Sequence, residues 1–309
     1  MVGHAALAFA LAAGAAVAVG LDRERALLFG AVAGVFAAVP DVDIGYAVVG
    51  LATTGGVDLA TLPDVFWETG NTVHRGFTHS FVVGASAALL FGLSACRGRL
   101  RAVAAVGLTS VVFVTAVFLG ALEGGVMASF LLAGAGVSVG ASRVGLSART
   151  VSAAALVGLL SHPFGDVFTG TSPTLLYPLE VHLLPERVLL SADPTLHLLG
   201  AFGLELATVW LAVLVYFWLR GLSLSGHLHR RTALGSSYAG AVVLLPAPTL
   251  SVSYQFVFSV LAVGAVVALA GLPTLDVRSS RSRHALLVTG VAPVPVAWLA
   301  YGVAYLLIG

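Results

Sequence analysis

The sequence contains no lysine, a single cysteine and few charged residues of either sign. Charged residues make up 9% of its 309 positions, whereas hydrophobic residues make up 59% and the mean hydropathy is +1.02. A soluble domain carries about 25% charged residues, so this shortage excludes an ordinary soluble protein. The net charge of +1 argues against a nucleic acid partner. Cys96 alone can form neither an intramolecular disulfide nor a Cys-rich zinc cluster, so any metal ligands must be His, Asp or Glu.

Apolar runs long enough to cross a hydrocarbon core of about 30 Å recur along the whole chain. They predict an all-α fold, a polytopic transmembrane helical bundle of about eight to ten spans. The first run lacks the basic residues that begin a signal peptide, so we expect it to be retained. The region 238–252 is short and contains Pro246 and Pro248, which leaves a re-entrant hairpin as an alternative to a crossing. The predicted spans lie near residues 5–21, 24–39, 80–96, 102–121, 125–141, 149–162, 196–219, 238–252, 254–271 and 285–308.

Two long connections, residues 40–78 and 163–195, interrupt the series of spans. With ten alternating spans, both connections emerge on one face of the membrane, and that face carries only Arg75 and Arg187 of the fifteen arginines. The positive-inside bias then places the two connections outside the cytoplasm. We therefore expect a multi-pass protein of the cell membrane in which residues 1–195 carry the polar motifs and residues 196–309 add further helices.

Ionisable residues cluster at the predicted extracytoplasmic ends of the spans in the first region. Ionisable groups near the membrane are costly to bury and usually mark function. The candidate site residues are His4, Asp41, Asp43, His74, His79, His162 and Asp166. Six other polar residues are expected to be loop residues and not ligands: His182, Glu186, His197, His227, His229 and His284.

The spacing of two motifs is typical of metal ligands. His162 and Asp166 stand four residues apart, which places two side chains on one face of a helix. Pro163 suits the first position of a new helical turn, so His162 is predicted to end one helix and Asp166 to project from a short second one. Asp41 and Asp43 stand two apart, so that one can bind a metal ion while the other orients a histidine.

The stretch HRGFTHS, residues 74–80, precedes the third span. Its two histidines are five residues apart and cannot face one point from a single straight helix. We therefore place His79 at the start of the span and His74 in the loop before it, with Gly76 allowing the bend. Thr78 and Ser80 are interpreted as N-cap residues of this helix.

Three stretches together resemble the YdjM-type family of membrane-bound metal-dependent hydrolases. They are PDVD (40–43), HRGFTHS (74–80) and GLLSHPFGDVFTGTSPTLLYPLE (158–180), and the resemblance covers roughly residues 1–180. The family is distantly similar to zinc-dependent phospholipase C, which also uses an H-x-x-x-D pair. The resemblance implies metal ligands among His4, Asp41 or Asp43, His74, His79, His162 and Asp166.

One feature departs from the phospholipase pattern. Its H-x-x-x-E pair has only His182 and Glu186 as a counterpart here, and Pro185 between them disfavours a regular helix. A third metal ion is therefore not expected.

These features predict a membrane-embedded metal-dependent hydrolase that acts on a phosphoester of a lipid. The expected cofactor is one or two divalent ions, Zn²⁺ first, with Mn²⁺ or Fe²⁺ as alternatives. Arg75 is predicted to hold the phosphate through its planar guanidinium, and Asp43 to act as general base. The alternatives are a metal or solute transporter or channel that uses the same residues, and a non-catalytic binding protein.

The predicted orientation can be measured by cysteine labelling. In a variant without Cys96, a single cysteine in place of Thr61 should react with a membrane-impermeant reagent on intact cells, because residues 40–78 are expected outside the cytoplasm. Labelling that appears only after lysis would contradict this orientation.

Overall fold

The computed structural model describes residues 2–53, 62, 65–66, 70, 74–270 and 279–308. These residues form helices and irregular connections, with no strand among them, which confirms the predicted all-α fold class. Much of the predicted connection between residues 54 and 73 lies outside the described residues. The chain divides into two compact units, Met1–Arg187 and Val188–Gly309. The sequence predicts a boundary after residue 195.

The first unit contains eight α-helices among its described residues. They are α1 (Val2–Ala18), α2 (Arg23–Ala37), α3 (Tyr46–Thr53), α4 (Phe81–Ser94), α5 (Arg99–Phe118), α6 (Ala121–Arg143), α7 (Ala148–Ser161) and α8 (Pro163–Asp166). Short 3-10 helices at Pro40–Gly45 and Phe77–His79 precede α3 and α4. The side chain of Ser80 accepts hydrogen bonds from the first turn of α4, as expected for an N-cap.

Five helical segments in the described part are long and apolar enough to cross a membrane. They are Arg99–Phe118, Ala121–Arg143, Pro194–Arg220, Leu250–Leu269 and Ser282–Ile308. A sixth span is possible if α2 and the bent segment Pro40–Val48 count as one. The helices α1 and α4 are apolar but shorter, so the described residues contain five or six candidate spans, fewer than the eight to ten predicted.

The helices that lead to the candidate residues are short. The helices α2 and α7 have 15 and 14 residues. At 1.5 Å per residue they extend roughly 21–23 Å, less than a hydrocarbon core of about 30 Å. Polar residues meet inside the unit, where α2 and α7 end and where α1 and α4 begin.

Small residues allow these helices to pack closely. A Cβ atom added to Gly158 of α7 would lie 2.4 Å from the carbonyl oxygen of Ala33 and 2.8 Å from the backbone nitrogen of Ala37, both on α2. Next to this contact, Phe36 and Phe91 are fully buried, with ring centroids 5.7 Å apart. The close approach of α2 and α7 sets the position of the residues that follow both helices.

The second unit contains five α-helices among its described residues. They are α9 (Pro194–Arg220), α10 (Ala241–Leu244), α11 (Ser253–Leu269), α12 (Ser280–Val291) and α13 (Pro293–Ile308). Its core includes Phe202, Phe256, Val260 and Tyr301.

The predicted helical crossing at residues 238–252 is wrong. A 3-10 helix, Arg230–Gly240, covers its start, and α10 lasts only four residues. Pro246 and Pro248 then lie in irregular chain, because proline lacks the backbone N–H that would continue a helix. The predicted span 285–308, in contrast, lies within the candidate membrane span Ser282–Ile308, in which α12 gives way to α13 at Ala292.

The contact at Gly158 predicts a stability effect. Replacing Gly158 with Ala should lower the free energy of unfolding by about 1–3 kcal/mol, because overpacking against backbone outweighs the helix propensity that alanine adds. Gly136→Ala in α6 is the control, since a Cβ there meets nothing within 4 Å. Thermal unfolding in detergent checks this, and equal midpoints for the two variants would contradict the packing described here.

Candidate metal centre

His162 lies at the junction of α7 and α8, where Pro163 begins the short helix that ends at Asp166. This is the arrangement that the sequence predicted. The Nδ1–H of His162 donates to the carbonyl oxygen of Ala37 at 2.6 Å, at the end of α2. The Nδ1–H of His4 in α1 donates to the carbonyl oxygen of His162 at 2.7 Å. Since a carbonyl can only accept, both rings keep Nε2 available as a ligand atom.

Asp43 and Thr78 orient the other two imidazoles. Asp43 accepts a hydrogen bond from His74 Nδ1 at 2.9 Å and one from the Thr78 hydroxyl at 2.8 Å. Because the Thr78 hydroxyl hydrogen points to Asp43, its oxygen accepts a hydrogen bond from His79 Nδ1 at 2.9 Å. Both rings are thereby held with Nε2 turned away from Asp43. Hydrogen bonds of this kind fix the tautomer and increase the basicity of metal-binding histidines.

Three possible metal-ligand atoms converge in the interior. Asp166 Oδ2 lies 3.3 Å from His79 Nε2 and 3.2 Å from His162 Nε2. All three atoms are buried and have no hydrogen-bond partner. Ligands at about 2.0–2.1 Å from a tetrahedral Zn²⁺ ion lie about 3.3 Å from one another, so the observed separations fit such an ion.

Asp41 extends the cluster. Its Oδ1 lies 3.5 Å from His162 Nε2 and 3.8 Å from His79 Nε2. Three overlapping groups have ligand atoms that all lie within 4.8 Å of one another: His4–Asp41–His162, Asp41–His74–His79 and His79–His162–Asp166. Because the groups share members, they form one cluster that could hold one or two ions.

Arg75 supports Asp166 from the side. Its Nη2 lies 3.0 Å from Asp166 Oδ1 and donates to the Thr169 hydroxyl, while Nη1 donates to the carbonyl oxygens of Asp166 and Thr171. Gly170 permits this approach, because a Cβ there would lie 2.7 Å from Nη1. Arg75 itself has a φ of 66°, which is uncommon for a residue other than glycine. The local backbone thus brings the guanidinium to the carboxylate.

The cluster carries excess negative charge. Three carboxylates are buried in the cluster, those of Asp41, Asp43 and Asp166, and the Arg75 guanidinium pairs only with Asp166. Burial alone raises the pKa of Asp166, but the imidazoles of His162 and His79 and the Arg75 charge bring it well below its usual range. A divalent cation would balance this charge, and buried charges are otherwise strongly unfavourable.

The electrostatics of His79 also fit a metal ligand. Burial lowers the pKa of this imidazole, whereas the nearby carboxylates of Asp166 and Asp41 raise it to about 9. The carboxylates thus favour a positive charge at this position. A bound cation would supply this charge between the same carboxylates.

All seven residues that the sequence singled out lie in this one cluster or directly beside it. Asp43 is outside the three groups of converging ligand atoms, and its predicted roles as ligand and general base stay predictions. The same holds for phosphate binding by Arg75, since both of its terminal nitrogens contact the protein. His182 and Glu186 are exposed and belong to none of the three groups.

One local interpretation needs correction. The N-cap of α4 is Ser80, and the Thr78 hydroxyl instead links Asp43 to His79. In the bend before His79, Gly76 has a φ of −78° and a ψ of −139°, outside the common helical and extended regions, and Arg75 is left-handed. No sequence spacing indicates the role of Thr78 or the conformation of Arg75.

Comparison with known proteins identifies the family. The model of the YdjM inner membrane protein family matches residues 1–230, and the chain belongs to this family of membrane proteins. No curated protein and no solved structure matches it. The match covers the whole first unit and continues past α9. The similarity to zinc-dependent phospholipase C stays a prediction.

The role of Thr78 predicts a metal-binding defect without loss of a ligand. Thr78→Val should weaken metal affinity by about 10- to 100-fold, because His79 and Asp43 lose the hydroxyl that orients them. Thr115→Val is the matched control, since that hydroxyl is buried and donates only to the Val111 carbonyl oxygen in α5. Competition against a chelating dye measures both affinities. Equal affinities would show that Thr78 does not support the centre.

Proposed function

We propose that this chain is a membrane-embedded metal-dependent hydrolase that acts on a phosphoester of a lipid. The proposal rests on one observation above all: His79 Nε2, His162 Nε2 and Asp166 Oδ2 converge, buried and without hydrogen-bond partners. A purely structural cluster would pair these atoms, since an unsatisfied buried polar group costs about 1–3 kcal/mol. Their separation and charge support the proposal of a site for a divalent cation.

Zn²⁺ is the metal that we propose first. The ligand set consists of imidazole nitrogens and carboxylate oxygens, which Mn²⁺ and Fe²⁺ also accept. When bound, such an ion supplies Lewis acidity: it polarises a phosphoryl oxygen and lowers the pKa of a coordinated water to around 7. His79, His162 and Asp166 would hold it. A second ion would be held by Asp41 either with His4 and His162 or with His74 and His79.

The chain's own groups prepare the site for this chemistry. Thr78 and the Ala37 carbonyl hold two imidazoles in the tautomer that presents Nε2. Arg75 fixes the Asp166 carboxylate on one side, so that Oδ2 remains directed at the imidazoles. Asp43 accepts a hydrogen bond from His74 Nδ1, which supports the general-base role that we propose for this carboxylate.

An apolar side chain beside the centre favours a lipid substrate. Phe164 lies in α8 between His162 and Asp166 and is 59% exposed. Its ring lies 5.7 Å from that of Phe81 at the start of α4. An aromatic pair at this position would contact acyl chains while the polar headgroup reaches the cluster. We propose that the site faces the extracytoplasmic leaflet, because seven arginines of the first unit lie at the helix ends opposite the cluster, which the positive-inside bias assigns to the cytoplasm: Arg23, Arg25, Arg97, Arg99, Arg101, Arg143 and Arg149.

Loss of a direct ligand should abolish turnover. His162→Ala and Asp166→Ala should bind substoichiometric metal and hydrolyse a phospholipid in mixed micelles about 100-fold more slowly or worse. His227→Ala and His229→Ala are the controls, because both histidines lie in the second unit, where His229 is exposed and His227 is half-buried. Chelation should abolish the parent's activity and added Zn²⁺ should restore it.

The same measurements separate the alternatives. A parent that binds metal through His162 and Asp166 but hydrolyses no phospholipid would contradict the hydrolase and leave a binding or transport protein. Full metal content in both ligand variants would contradict the site itself.

A further inference from the structure

A second polar feature lies at the opposite end of the first unit. A cavity of about 380 Å³ forms where α4 and α6 end and where α5 and α7 begin. The metal centre, in contrast, lies where α4 begins and α7 ends. The cavity volume falls in the range of roughly 300–1,000 Å³ that is usual for sites of small ligands. The polar residues that line it are Arg97, Arg101, Arg143, Ser142 and Ser147.

The charge of this cavity is entirely positive. Three arginines line it, and none of its lining residues is acidic. Within the described part of the chain, ion pairs of arginine with carboxylates involve Arg25 and Arg75, and none of the cavity arginines. Three guanidinium groups close together repel one another unless an anion lies between them.

Backbone groups at the helix ends contribute to the cavity. Arg101 Nε donates to the carbonyl oxygen of Ser94 at 3.1 Å, which ties the start of α5 to the end of α4. Ser147 caps α7 and belongs to the lining together with Ala148, so the positive end of that helix dipole is at the cavity. Guanidinium forks and a helix N-terminus are the groups that bind phosphate in proteins.

We infer that this cavity binds a phosphate group, either on the headgroup of an anionic lipid or as the free ion. Basic pockets between helix ends bind anionic headgroups in other membrane proteins, because the apolar bundle holds the lipid while the arginines pair with its phosphate. This site is independent of the metal centre and of the hydrolase activity proposed for it.

The chain offers a matched pair of variants. Arg97→Gln/Arg143→Gln removes two charges from the cavity, and Arg99→Gln/Arg149→Gln removes two charges from neighbouring positions that do not line it. All four arginines are exposed, so none of the changes disturbs the core. Arg101 is kept because of its contact with Ser94. Binding is measured on the purified full chain in detergent with phosphatidylglycerol, phosphatidylcholine and inorganic phosphate as probes.

We expect phosphatidylglycerol to bind the parent more tightly than phosphatidylcholine. In the Arg97/Arg143 variant the Kd for phosphatidylglycerol should be about tenfold higher or more, which corresponds to the loss of one charge-assisted contact. In the Arg99/Arg149 variant this Kd should not change. If inorganic phosphate binds the parent and its binding is weakened by the same variant, the free ion is a ligand of the cavity. If inorganic phosphate does not bind, the ligand is the phosphate of the lipid headgroup. Equal weakening by both variants, or no preference for the anionic lipid, would overturn the inference.

Discussion

The convergence of Asp166 with His79 and His162 is the interaction on which the first unit depends. Their facing atoms are buried without hydrogen-bond partners, an arrangement that is costly unless a cation joins them. Several other features hold these three residues in place. Close packing of α2 and α7 at Gly158 brings a backbone carbonyl to His162, and Arg75 adopts a left-handed conformation beside Asp166. Strained backbone and tight helix contacts of this kind persist where the surrounding structure holds them in place.

Part of this architecture could be predicted from the sequence because it depends on local rules. The low charge and repeated apolar runs indicate a helical membrane protein, and Pro163 marks the start of the short helix α8. The four-residue spacing of His162 and Asp166 places both side chains on one side of that turn. Alternation of the helices then brings His4, Asp41 and His79 to the same end of the unit.

The remaining features depend on contacts between distant segments. Asp43 and Asp41 are indistinguishable in sequence, yet Asp43 contacts His74 and Thr78 while Asp41 approaches the converging imidazoles. Arg75 looks available for a substrate until its contacts with Asp166 are known. The segment 238–252 is apolar enough for a crossing, but its prolines interrupt the helix. In the sequence, the arginines between the helices of the first unit indicate only membrane topology. The fold brings three of them, Arg97, Arg101 and Arg143, to one cavity.

X-ray absorption at the zinc edge on protein purified without chelator tests the central claim most directly. The account predicts one or two ions per chain, with nitrogen and oxygen ligands at about 2.0–2.1 Å and scattering from several imidazole rings. Protein that retains no metal and takes up none on reconstitution would contradict it. So would coordination by sulfur, since Cys96 lies at the end of α4 remote from the cluster.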